Sequence, residues 1–158
     1  MQRSIGNERD DGAAERRGMM RVLAMATTKD VLDVYRSLGV PPQFQFLRRP
    51  EIGLVMVVGR IGGDGAPFNL GEVTVTRAAV RLESGETGFS YLLGRDLEKA
   101  EAAAIIDAIW QSETGRNQIE ARVLSPLRSV REKRRQTAAA RTAATKVDFF
   151  TMVRGEDA

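Results

Sequence analysis

Residues 53 to 61 read GLVMVVGRI. The run is nearly all apolar and rich in β-branched residues, so it is expected to be a strand covered on both faces. Three further strand signals surround it. QFQFL alternates Phe44 and Phe46. EVTVTRAAVRLE sets Val73 and Val75 against Thr74 and Thr76, then moves its apolar parity to Val80 and Leu82. That switch predicts a bulge or bend near Arg77–Ala79. GFSYLLG puts Phe89, Tyr91 and Leu93 on one face, and ESGE before it reads as a hairpin turn. Four strands joined by short turns make an antiparallel meander.

Helix patterns flank the strands. TKDVLDVYRSLG places Val31, Val34, Tyr35 and Leu38 on one helical face. Thr27 or Thr28 can cap its start, Gly39 stops it, and Pro41 and Pro42 forbid continuation. A short helix over about residues 18 to 25 is expected before it. Downstream, Asp96 caps a helix predicted to run to about Glu113. Ala102, Ile105, Ile106, Ile109 and Trp110 form its apolar stripe, and Gly115 closes it. Asp107 falls off that stripe and is expected to be solvated or interfacial. Residues 117 to 145 read as helical with a break at Ser125-Pro126. The fold class is therefore α+β: an antiparallel sheet of about four strands with helices packed on it. One domain is expected over residues 18 to 158. Residues 1 to 17 are polar and without period; they read as a disordered leader, or as sequence upstream of a start at Met19, Met20 or Met25.

No apolar run approaches the ~18 residues of a membrane span, and no segment resembles a signal peptide. A cytoplasmic protein with no membrane contact is expected. The chain has no histidine and no cysteine. The commonest general base and metal ligand is thus missing, as are the ligands of an ordinary zinc site and the thiolate nucleophile. No metal is expected. Catalysis would have to rest on carboxylates, Lys, Tyr or hydroxyls, and the simpler expectation places the catalytic groups on a partner.

Formal net charge is +3, unevenly spread. Residues 121 to 146 carry six Arg and two Lys against Glu132 alone, leaving a mildly acidic remainder. VREKRRQTAAAR could meet phosphates, but no aromatics interleave and no nucleic-acid-reading motif is visible. A solvated face or a surface for an acidic partner fits better. GRIGGDGAPFNLGE lacks the Lys-Ser/Thr of a phosphate loop and the third glycine of a dinucleotide fingerprint, and it leads into a strand. It reads as a glycine-rich turn. Arg77 and Arg81 share a face if strand alternation is unbroken. With Arg95 in GRD, they are the candidates for anion or partner contacts.

The end of the chain, KVDFFTMVRGEDA, follows this basic segment with four large apolar residues. Burying Phe149, Phe150, Met152 and Val153 is worth about 6–12 kcal/mol. Fixing seven backbone residues costs about 7–14 kcal/mol. The two nearly cancel, so the tail is expected to order only by docking on a surface that covers it, within this chain or on a partner.

TRAAVRL (76–82), GRD (94–96) and VDFFTMVRG (147–155), in this order and spacing, resemble the PhnG family of the bacterial carbon–phosphorus lyase system. The resemblance runs from about Arg17 to Ala158. It implies a subunit that works with PhnH-, PhnI- and PhnL-like proteins. Together they turn ATP and an alkylphosphonate into a ribose 1-alkylphosphonate 5′-triphosphate with release of adenine. It also implies a core complex with PhnI-, PhnH- and PhnJ-like subunits, the last carrying radical iron–sulfur chemistry. ATP is then a substrate of the complex, no cofactor sits on this chain, and the chain alone is expected to be inactive. The family brings no catalytic residue that can be placed here. Two other readings compete. A small nucleic-acid-associated protein would use Arg122 to Lys146, and a standalone enzyme would use Arg77, Arg81 and carboxylates.

Overall fold

The computed structural model describes residues 5–62 and 64–145. Along the chain run α1 (Ile5–Met25), α2 (Thr28–Ser37), β1 (Phe44–Arg60), β2 (Pro67–Leu82) and β3 (Thr87–Leu93). Then follow α3 (Leu97–Trp110), α4 (Glu113–Ile119), a π turn (Glu120–Leu124) and α5 (Ser125–Ala144). The strands form one antiparallel sheet in the order β1-β2-β3. The class is α+β as expected, with three strands where about four were expected.

The missing strand is a fusion. Phe44–Phe46 and Gly53–Arg60 belong to one strand, interrupted by register shifts between Phe46 and Arg48 and between Arg48 and Glu51. Pro50 lies in this irregular stretch. It cannot donate to a ladder, and a bulged edge strand is where a sheet tolerates it. The bend expected on β2 at Arg77–Ala79 is therefore on β1. β2 itself pairs with β3 without a shift, from Val75 opposite Leu93 to Arg81 opposite Thr87. Val73 and Val75 occupy one sheet face, and Val80 and Leu82 the other.

The core lies between that second face and α3. Gly88 marks the closest approach: a Cβ there would stand 2.0 Å from the Ala104 carbonyl oxygen. Next to it, the Ser90 hydroxyl donates to the Ala100 carbonyl at 2.7 Å. Small residues at 88, 100, 104 and 108 thus let helix and strand backbones almost touch. Ile105, Ile106, Val80 and Leu92 fill the space around that contact. Met19 and Leu23 of α1, Val31 of α2, and Ile119 and Leu124 close the other sides of α3. α3 is consequently buried almost all round, not along a single stripe.

Local signals set the helix ends. The Thr27 hydroxyl accepts from the Asp30 N–H at 3.2 Å, and Gly39 turns the chain with φ +95°. Asp96 caps α3 by accepting from the Lys99 N–H at 3.0 Å. The Lys99 ammonium, its pKa lowered chiefly by burial, donates to the Ala24 and Ala26 carbonyls at 2.9 and 2.7 Å, closing the end of α1.

Three further expectations about the helices are corrected. Gly115 does not end α3; Ser112 caps a new helix, and Gly115 packs inside α4, where a Cβ would lie 1.9 Å from the Ile109 carbonyl oxygen. The segment read as a disordered leader is helical from Ile5 onward. Its last part is held by charge rather than by an apolar stripe: Arg16 reaches α3 and Glu15 pairs with Arg116 at 3.3 Å. The third concerns Asp107, taken up below. The break near Pro126 is a π turn immediately before it, because proline has no N–H to continue the i→i−4 ladder.

α5 runs antiparallel along α2. Arg122 donates to the Ser37 carbonyl at 3.0 Å near one end, and Arg134 clasps Asp30 at 2.6 Å near the other. Only Leu127 of α5 is buried, and every residue from Arg131 to Thr145 is exposed. Phe149, Phe150, Met152 and Val153 lie outside the described residues. Among the described residues no helix is long and apolar enough to cross a membrane.

Candidate interaction surface

Arg77 and Arg81 stand on the sheet face turned away from α3, four positions apart with Ala79 midway between them. Arg77 is already engaged: its Nε donates to Glu51 Oε1 at 2.7 Å, and Arg48 donates to the same oxygen at 2.6 Å. The two arginines hold the Glu51 carboxyl below the usual carboxylate range, Arg48 more than Arg77. Arg81 is exposed and forms no ion pair among the described residues. Arg95 sits on the exposed turn past the end of β3 and likewise pairs with nothing described. The fold puts Arg77 and Arg81 on one face; it does not place Arg95 on that strand.

Between them, Thr76 joins two of the motifs that stood out in the sequence. It is fully buried, donates to the Gly94 carbonyl at 2.7 Å and accepts from the Asp96 N–H at 2.9 Å. Thr28 reaches the other oxygen of Asp96. TRAAVRL and GRD are thus one structural device that fixes the β3–α3 turn and docks α2 on it. That role accounts for Thr76 and Asp96.

Asp107 is buried, 1% exposed, against the expectation of a solvated or interfacial residue. α1 covers the side of α3 that the stripe left free. Arg16 binds both carboxylate oxygens, at 2.8 and 2.5 Å, and the Phe89 N–H donates to Oδ2 at 2.8 Å. Gln111, one turn on, donates to the Thr87 carbonyl at 2.6 Å. The end of α3 therefore supplies side-chain partners to the free edge of β3 at Thr87 and Phe89, which blunts that end of the edge for further strand pairing. Accepting from Arg16 at both oxygens and from the Phe89 N–H, Asp107 ties α1 and β3 to α3.

What remains open is apolar. Phe89, Tyr91 and Leu93 alternate with the α3-facing residues of β3 and are each more than half exposed. Beyond Val75, β3 has ended, and β1 and β2 continue as a two-stranded arm to the turn at Ile61–Ala66. Ile52, Leu54, Met56 and Val58 line one side of the arm, all about half exposed or more. Phe68 and Leu70 lie over Gly59 on the other side, within 4 Å of where its Cβ would be. The run read as covered on both faces is a strand, but no described part of this chain covers it.

The glycine-rich stretch is the tip of this arm. Gly65 donates to the Ile61 carbonyl at 2.9 Å and Gly62 takes φ +62°. β2 follows directly, so no helix N-terminus faces the loop. The basic helix α5 is partly spent on its own chain: Arg128 on Glu120, Arg134 on Asp30, Arg135 on Glu132. A half-open cavity of about 350 Å³ between the end of α2 and the α3–α4 junction holds Tyr35, Leu38, Leu82 and Ile109. Glu86 is its one charged residue, so it has no cation for a polyphosphate. Among the described residues no three carboxylates group as a metal site.

Fold and surface together define an α+β protein with one sheet face covered, the other open, and no furnished reaction centre among the described residues. The phosphonate metabolism protein PhnG family matches residues 14–155. The chain is also 51% identical over 151 residues to alpha-D-ribose 1-methylphosphonate 5-triphosphate synthase subunit PhnG of Rhizobium meliloti (strain 1021), covering 94% of each chain. The chain belongs to the PhnG family.

Proposed function

We propose that this chain is an accessory subunit in phosphonate catabolism, working in a synthase that converts ATP and an alkylphosphonate to a ribose 1-alkylphosphonate 5′-triphosphate and releases adenine. Its partners are PhnH-, PhnI- and PhnL-like proteins, with a core assembly that includes a PhnJ-like subunit. The catalytic groups lie on those partners. The observation that carries this reading is the match along nearly the whole chain to a relative named as a subunit of that synthase. Chemistry supports the accessory part. The chain has no histidine or cysteine, the one buried carboxylate among the described residues accepts from Arg16 and Phe89, and the cavity beside Tyr35 and Leu38 has no cation in its lining. Arg81 and Arg95, and the tail residues Phe149, Phe150, Met152 and Val153, are proposed as contacts to other subunits. Co-expression of the tagged chain with PhnH-, PhnI- and PhnJ-like subunits tests this. The account expects a stable complex to co-purify; a chain that emerges alone at all subunit ratios contradicts it.

A further inference from the structure

The arm formed by Gly53–Arg60 and the facing part of β2 is strongly apolar, and alternate residues along it are exposed. Two-stranded ribbons are marginal in water even with one face buried; this one offers apolar side chains on both. Leu54 and Met56, 61% and 51% exposed, point one way, and Phe68 and Leu70, 41% and 66% exposed, the other. The adjoining open sheet face adds Phe89, Tyr91 and Leu93. At roughly 200 Å² per large side chain, half-exposure of the arm and sheet residues gives on the order of 1,000 Å², above the ~800 Å² per partner of a standard interface.

We propose that the arm inserts into an apolar cleft of a different protein subunit, one whose rim carries carboxylates where it meets the arm's base. This rests on the subunit reading above and assigns a surface to it. Two features argue against a second copy as the occupant. Stacking two identical arms about a two-fold axis covers one face of each and leaves the other wet. The arm's base carries Arg48 and Arg77 against Glu51, and a copy would bring the same excess of cations to face them. A cleft supplies walls for both faces, and carboxylates on its rim answer the arginines.

The test uses the full chain co-expressed with the PhnH-, PhnI- and PhnJ-like subunits. A photo-crosslinking residue replaces Met56, and the complex is purified through a tag on this chain and irradiated. The expected result is an adduct containing a different subunit. In parallel, Leu54→Glu with Met56→Glu is expected to lower co-purification at least ten-fold while the thermal melt of the isolated chain stays within a few degrees of the parent. An adduct only to a second copy, no adduct, or undiminished co-purification of the double variant overturns the proposal while leaving the subunit reading intact. Failure of the unmodified chain to bring down any subunit overturns the subunit reading, and the arm proposal with it.

Discussion

Asp107 shows how much one side chain holds in this protein. It ties α1 to α3 through Arg16 and holds one point of the β3 edge through the Phe89 N–H. Asp107→Ala leaves a buried N–H and a half-buried guanidinium without partners, which is expected to lower unfolding free energy by about 2–4 kcal/mol. Urea denaturation measures this; an unchanged midpoint would show that Asp107 is not structural. Asp30 makes a pH prediction. The Thr27 hydrogen bond first, then Arg134, holds its pKa below the usual value. A depressed folded pKa contributes stability above the unfolded value of ~3.9, and the contribution disappears as pH falls below it. Melting temperatures of the parent and Asp30→Asn should therefore differ at pH 6, and the gap should narrow as pH falls below ~3.9; a constant gap would contradict the assignment. At this scale the helix caps were legible, because Thr27, Gly39 and Asp96 act on their immediate neighbours. Asp107 was not, since helical periodicity shows which side faces the sheet but not that a further helix covers the back. Gly115 misled for a similar reason: a stop signal and a close-packing site use the same residue.

Among the elements, β1 separates what pattern can and cannot show. Its strand character was plain, yet Pro50 split it into two expected strands, and only pairing with β2 shows one bulged strand. Apolar residues at both parities were read as a strand covered on both faces. The requirement for cover was legible; the fact that this chain does not provide it was not, because cover is a property of what lies nearby. Backbone opening should reflect this contrast. Amides of Leu54–Val58 and Phe68–Val73 are expected to exchange orders of magnitude faster than those of Ala78–Leu82, which lie on the central strand between β1 and β3, against α3. Hydrogen exchange followed by mass spectrometry checks it, and equal protection would mean that the arm is stable without a partner. The outer half of α5, exposed and rich in alanine and arginine, belongs with the fast-exchanging set.

Over the whole molecule, one side is finished and the other is not. Helices bury one sheet face around α3, while the opposite face, the arm and the outer half of α5 lack a cover from the described chain. Histidine and cysteine are absent from the sequence, and of the arginines singled out in the motifs Arg77 is paired with Glu51 while Arg81 and Arg95 stand apart. The family was legible from three ordered motifs. Two of them, as the structure shows, serve to build the β3–α3 turn; the third lies outside the described residues. The account's central claim is that this chain is required for the synthase reaction but does not perform it. Its most direct measurement is adenine release from ATP and methylphosphonate by purified PhnG-, PhnH-, PhnI- and PhnL-like proteins, with each omitted in turn. The account predicts release by the full set, none by this chain alone, and a loss of at least a hundred-fold when this chain is left out. Adenine released by this chain alone, or undiminished release in its absence, would contradict it.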